Sequence, residues 1–523
     1  MLNWSSPLRR VGSRTLEPIP LEIYQEFFEY LSGNDELSAR ELRENLANLA
    51  LVCRFFSALA LPRLFAKVEF SGNSSGPDVA RTNRFCRALN NGQEPAKSLS
   101  QYVKTCTFTS WDWEGPLAGS RDAFLTMYCN ALSKMTSVEV LVFSSVIIDR
   151  RIIKAMQSLP ALDSLVFSRS LLKQGCDHNR IVAVLQKLRL RSLVIGVWSS
   201  PALQNIITPA LSLRDLIKLE VDSWTMIQRL SELDISCPLQ ILTIHSVEDP
   251  TLLPKLFQKT PELKHLHVYT MRGRTESLDF IELPGTLLSN LSFFDGPASL
   301  AMVVIPFRPI QKVWLMGTLT GLRGQRERAA IPELQPLTQR IWEVLAKSRV
   351  PVTDLLIPQH LYHVVSLKSF LPRVTTLRVS WCHANFWELD QLPRCASEKE
   401  IRQAVTKLCR KWPPNSSIRQ LVFELSLEDT EDATLLNLQL QFELLEDIVS
   451  KAFPSVEQVN FITCVDWRRS VGGTWRPVIP KAKKRYLWLR WNDYDQFALV
   501  DYGGCYEALF DPNSPDFRDY AEA

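Results

Sequence analysis

Seven histidines, His178, His245, His265, His267, His360, His363 and His383, are the side chains of this chain best suited to acid–base or metal chemistry near neutral pH. None stands in a His-Glu-x-x-His, Gly-x-Ser-x-Gly or phosphate-loop context. Cys382 and His383 are neighbours in the chain, which does not make a nucleophile and its base. His265 and His267 are two apart, so on a strand both rings project from one face, as two metal ligands would, and His245 falls one repeat earlier. No Cys or carboxylate completes the set in the sequence pattern. We therefore expect no metal, no cofactor and no catalytic residue, and read these histidines as part of an exposed polar strip. Gly472-Gly473 and Gly503-Gly504 read as turns.

Composition narrows the partners. Lys plus Arg number 60 against 56 Asp plus Glu, and a formal charge of +4 on 523 residues gives no ground to expect nucleic acid. Two basic runs, Arg323–Arg328 and Lys481–Arg485, read as a solvated loop and the lead-in to a strand. No apolar run approaches the roughly 18 residues of a bilayer span; Leu193–Trp198 and Ala301–Pro306 are strand-length. Arg9, Arg10 and Arg14 have no apolar segment behind them, so Met1–Pro20 does not read as a secretory signal. Eleven scattered cysteines without a Cys-x-x-Cys pair suggest reduced thiols in an intracellular compartment, cytoplasmic or nuclear.

The elements that would position such side chains repeat. From about residue 138 one phrase recurs, an apolar residue, two variable ones, then Leu-x-apolar: Val138–Phe143, Leu162–Phe167, Leu239–Ile244, Leu263–Val268, Val374–Val379, Ile418–Phe423 and Val456–Phe461. Anchors at 141, 165, 193, 219, 242, 266, 291 and 313 are 22 to 28 residues apart, the period of leucine-rich repeats. Helix-period segments lie between them, at Asp149–Leu159, Asn179–Leu188, Trp224–Leu233, Leu252–Gln258 and Phe442–Ala452. Strand–helix units of this kind bury their apolar faces by stacking, which predicts a curved α/β solenoid. The Asn or Cys that usually follows the Leu-x-apolar triplet is mostly absent, so the pattern resembles irregular leucine-rich repeats. Longer steps place insertions or unrecognised repeats in 318–350, 381–415 and 426–455.

Residues 16–70 differ. Pro20 suits a first helical turn, and Ile23, Phe27 and Leu31 form one apolar stripe. In a second helix Leu46, Leu49, Cys53 and Phe56 repeat that spacing, and Pro62 is expected to end it. Pro20-Leu21-Glu22-Ile23, Phe27, Leu31 and Leu51-Val52-Cys53-Arg54-Phe55-Phe56 resemble an F-box, with Phe56 and Phe65 where that family usually has Trp and a longer loop at Ser32–Glu44. Leu49–Phe70 is most similar to the F-boxes of mushroom-forming fungi.

The resemblance implies a helical trio that docks on the Skp-type adaptor of a cullin ubiquitin ligase through Pro20, Leu21, Ile23, Phe27, Leu31, Leu51, Val52 and Phe56. The chain would then be a non-catalytic SCF substrate receptor; the alternative is a repeat scaffold with no ligase link. We expect a disordered 1–15, an F-box at 16–70, a linker at 71–100, a solenoid at 101–475 and a hairpin cap and tail at 476–523. Strand parity assigns the partner surface. It sends Glu220, Asp222, Thr243 and His245 to the concave face, followed by His265, His267, Tyr269 and Phe294, then Lys312, Trp314, Met316, Arg378 and Ser380. Of these, Asp222, His245, His265, His267, Tyr269, Trp314 and Arg378 are the expected contacts to an unidentified protein substrate.

Overall fold

The computed structural model describes residues 9–11, 14–16, 19–33, 39–72, 77–111, 118–176, 178–196, 199–210, 214–222, 224–232, 236–271, 281, 283–316, 340–358, 373–380, 398–411, 417–424, 437–462, 465–470 and 472–479. The chain divides into two compact units, Met1–His245 and Ser246–Ala523. Each is mixed α and β, built on a mostly parallel sheet.

The first unit opens with β1 (Arg9–Val11) and β2 (Arg14–Leu16), an antiparallel ribbon where no regular structure was expected. Three helices follow, α1 (Leu21–Gly33), α2 (Ala39–Val52) and α3 (Arg54–Leu64). The single second helix of the sequence pattern is thus two, broken at Cys53, whose backbone is extended. Pro62 lies inside α3 instead of ending it, and in the last turn its missing N–H forfeits one helical bond. The break turns Ala60 onto Phe28 and Leu46, and these three form a buried core, with Phe56, Leu59 and Leu64 packed against it.

The sheet then runs in parallel through β3 (Lys67–Ser71), β4 (Thr105–Trp111), β5 (Val140–Ile148), β6 (Ser164–Ser168), β8 (Ser192–Ile195), β9 (Lys218–Val221) and the start of β10 (Ile241–Val247). A two-residue strand, β7 (Leu171–Leu172), extends it beside the far end of β5. In register, Val68, Cys106, Leu141, Leu165, Leu193, Leu219 and Leu242 stand side by side. The array therefore starts at Lys67, and the expected linker at 71–100 is the first crossover, carrying the helices Pro77–Asn90 and Ala96–Leu99. An aromatic spine fixes this end: Phe70, Phe108, Phe143 and Phe167 follow one another at centroid distances of 4.7, 5.4 and 5.5 Å.

In the second unit β11 (His265–Met271), β12 (Phe293–Pro297), β13 (Lys312–Met316), β14 (Asp354–Pro358), β15 (Thr376–Ser380), β16 (Gln420–Glu424) and β17 (Gln458–Ile462) are parallel. Two antiparallel strands, β18 (Val465–Arg469) and β19 (Trp475–Val478), follow. The core positions in register are Leu266, Phe294, Val313, Leu355, Leu377, Leu421 and Val459. The anchor read at Leu291 thus belongs at Phe294, because Leu291 fills the upstream apolar position of its phrase. Direct pairing of Val313 with Leu355, Leu377 with Leu421 and Leu421 with Val459 makes 318–350, 381–415 and 426–455 insertions between neighbouring strands. The expected hairpin cap lies, from residue 480 on, outside the described residues.

Arg308 staples the β12–β13 connection from within. It is 1 % exposed, and its guanidinium donates to the carbonyls of Leu287, Pro306 and Pro284 at 3.0, 2.8 and 3.0 Å. Burial draws its pKa down to about 10.

Parity predicts the mutational response. Leu165 is fully buried and Val166 points to the opposite face; Leu165→Ala should cost about 2–5 kcal/mol and Val166→Ala about 0.5 kcal/mol or less, read by denaturant unfolding.

Candidate functional site

With Leu266, Phe294, Val313, Leu355 and Leu377 facing the core, the alternate residues of β11 to β15 face the other way. Two rows result in register. One holds His265, Phe293, Lys312, Asp354 and Thr376; the other holds His267, Asp295, Trp314, Leu356 and Arg378. Phe294, expected on this face, is fully buried in the core, and Phe293 and Asp295 take its place. The misplaced anchor at Leu291 accounts for the error.

The rows interlock through rings and carboxylates. The Phe293 ring packs against His265, His267 and Trp314 at centroid distances of 5.7, 4.9 and 5.1 Å, each pair T-shaped. His267 Nδ1 donates to Asp295 Oδ2 at 3.1 Å. Trp314 Nε1 donates to Asp354 Oδ1 at 3.4 Å, Arg378 Nε lies 3.6 Å from the same oxygen, and the Arg378 guanidinium sits 5.2 Å from the centre of the Trp314 ring. Asp354 thus gathers the indole and the guanidinium, and Arg378 caps the ring as a cation over its electron-rich face. Asp295 has a side chain only 7 % exposed, and its Oδ1 takes no hydrogen bond among the described residues. Tyr269 is exposed at the far end of β11, and Ser380 is nearly buried.

His245, Asp222 and Glu220 belong to the first unit. His245 Nε2 lies 3.3 Å from Glu220 Oε1, so its ring pairs with a carboxylate across β9 and β10, while Asp222 is half-buried on the same face. Thr243, which pairs with Glu220 in register, is buried. Among the described residues no group of three or more His, Cys, Asp or Glu side chains is placed to hold a metal ion. His360, His363, His383 and Cys382 lie outside the described residues, as do both basic runs. A Gly-x-Ser-x-Gly frame at Gly72–Gly76, not reached by starting from the histidines, falls between β3 and the helix Pro77–Asn90; Ser74 too lies outside the described residues.

The sequence pattern missed Phe293, Asp295 and Asp354. The signal was present: Leu291-Ser292-Phe293-Phe294-Asp295-Gly296 fits the phrase once Gly is allowed in the last apolar position. A Cβ on Gly296 would stand 3.1 Å from the Phe294 ring and from the Val268 carbonyl, so a side chain there would press the ring and the neighbouring strand apart by a few tenths of an ångström.

A second surface lies on the helical trio. Leu21, Ile23, Phe27, Leu51 and Val52 are 43, 52, 47, 85 and 65 % exposed, and Pro20 is exposed as well. Phe56, expected beside them, is half-buried against the trio's core. The helix α1 includes Leu31, whose side chain is outside the description.

No protein-family model matches the chain, and no curated protein matches it. No helix among the described residues is long and apolar enough to cross a membrane.

Two measurements test this site. His265 is held below the ordinary imidazole pKa of 6.5 by burial first, then by His267, Lys264 and Lys312. Its unfolded form therefore binds the proton more readily, and the stability tied to the neutral ring is present above that value and lost as pH falls through it. Unfolding midpoints should drop from about pH 8 to about pH 5, and His265→Gln should show less of the drop. A double-mutant cycle of Trp314→Leu and Arg378→Met should return a coupling of about 0.5–1 kcal/mol.

Proposed function

We propose that the chain is the substrate-recognition subunit of an SCF-type ubiquitin ligase: α1 to α3 dock on a Skp-type adaptor and through it on a cullin, and the strand-borne polar face binds a protein substrate. The finer reading that goes with it is a helical F-box leading into an irregular leucine-rich-repeat solenoid. The observation that carries the reading is the sorting of apolar residues on the trio. Phe28, Leu46 and Ala60 are buried, whereas Leu21, Ile23, Phe27, Leu51 and Val52, the positions the resemblance assigns to docking, stay in water. Large apolar side chains left exposed in this number on so small a helical unit suit a protein-binding surface. No catalytic role is proposed for the polar face: its carboxylates meet an imidazole, an indole and a guanidinium, and no described nucleophile joins them.

Truncation of one such anchor typically removes about 2 kcal/mol or more of binding at a hot spot. Leu21→Ala combined with Ile23→Ala should abolish co-purification with a Skp-type adaptor while far-ultraviolet circular dichroism and the unfolding of the sheet stay unchanged. Undiminished adaptor binding by the double variant would overturn this docking surface, and absence of adaptor binding by the unmodified chain would remove the ligase link and leave a protein-binding scaffold.

A further inference from the structure

The chain itself displays how this face holds a cation. Arg378 lies over the Trp314 ring with its Nε 3.6 Å from Asp354, so a guanidinium is bound by one ring and one carboxylate. One strand away the same two elements recur without the cation. Phe293 and Asp295 sit two apart on β12 and so share a face. Asp295 is buried, spends Oδ2 on His267, and has Oδ1 without a donor among the described residues. A buried carboxylate oxygen lacking its hydrogen bond carries a desolvation penalty that a donor would relieve, most strongly a charged one.

We propose that Asp295 and Phe293 form the subsite for an arginine or lysine side chain of the protein bound on this face. The proposal rests on reading the face as the partner surface. Oδ1 is covered at present, so entry requires neighbouring side chains to change rotamer, the ordinary scale of adjustment when an interface forms. A cationic partner is favoured because the cations nearest in register are unavailable to Asp295: Arg378 is engaged with Asp354, and Lys312, opposite Phe293, is exposed to water, where salt screens its repulsion. An anionic side chain would meet the buried carboxylate instead. An apolar one would leave Oδ1 unpaired.

The test uses the full chain and a phage-displayed library of random dodecapeptides, counter-selected on Trp314→Ala so that the peptides kept depend on this face. The expected peptides are enriched in Arg and Lys over the input library. For a representative peptide, Asp295→Asn in the protein and replacement of the basic residue by norleucine should each weaken binding about tenfold, the size of a charge-assisted hydrogen bond, and the two losses should not add. Phe293→Leu, which removes the ring and keeps the carboxylate, should weaken the same peptide by a smaller factor and serves if Asp295→Asn alters the unfolding midpoint. Trp314-dependent peptides with no basic preference, or indifferent to both Asp295→Asn and Phe293→Leu, would overturn the subsite while the partner surface stands. If no Trp314-dependent peptide is recovered, the surface reading fails and the subsite with it.

Discussion

In strand after strand, one peptide carbonyl accepts two consecutive N–H groups from the start of the next strand. Lys104 receives Glu139 and Val140, Glu139 receives Asp163 and Ser164, and Asp163 receives Arg191 and Ser192. The second unit repeats the bond: Lys264 receives Ser292 and Phe293, Gln311 receives Thr353 and Asp354, and Thr375 receives Arg419 and Gln420. Each acceptor follows an apolar residue, Val103, Val138, Leu162, Leu263, Ile310 or Val374, that is at most 4 % exposed. Burial of that residue anchors the carbonyl, the carbonyl anchors the next strand, and register is transmitted one strand at a time. A slip of one residue would exchange the two faces and put Leu141, Leu165 and Leu193 in water.

Register also explains how the sheet tolerates very unequal connections. The link between β13 and β14 is far longer than that between β14 and β15, yet Val313, Leu355 and Leu377 stand in one row. Closing a longer loop costs free energy only logarithmically in its length, while each strand added buries two apolar side chains worth about 1.5–3 kcal/mol apiece. Insertions are therefore cheap so long as the anchored carbonyl and the core positions are kept. The same rows bring His267 to Asp295, and Asp354 to both Trp314 and Arg378.

The helical trio obeys a different constraint. A bundle of this size has few interior positions, and Phe28, Leu46 and Ala60 fill them. The break at Cys53 leaves Leu51 and Val52 at the end of α2 and outside that interior, next in the chain to an exposed cysteine. Buried cysteines behave oppositely: Cys86, Cys129 and Cys409 have thiols pushed up to about 12 by burial and are core residues in all but name.

The sequence alone determined the elements whose cause is local. Strands such as Val140–Ile148, Ser164–Ser168 and Thr376–Ser380, helices such as Arg150–Met156 and Trp224–Glu232, and the faces of Leu141, Leu165, Trp314 and Arg378 were legible because parity and helical spacing are properties of a few consecutive residues. The α2–α3 break was not, since the packing that goes with it, Ala60 on a distant Phe28, leaves no mark in the residues around Cys53. The start of the array at Lys67 was hidden for a similar reason: Val68 acquires a partner only through Cys106, far along the chain. The site divides the same way. Its histidines, Trp314 and Arg378 were read as exposed polar residues of successive strands, but Asp295 and Asp354, which bind them together, were decided by tertiary structure. Lateral neighbours in a parallel sheet are set by register across insertions of any length, and no local pattern records that register.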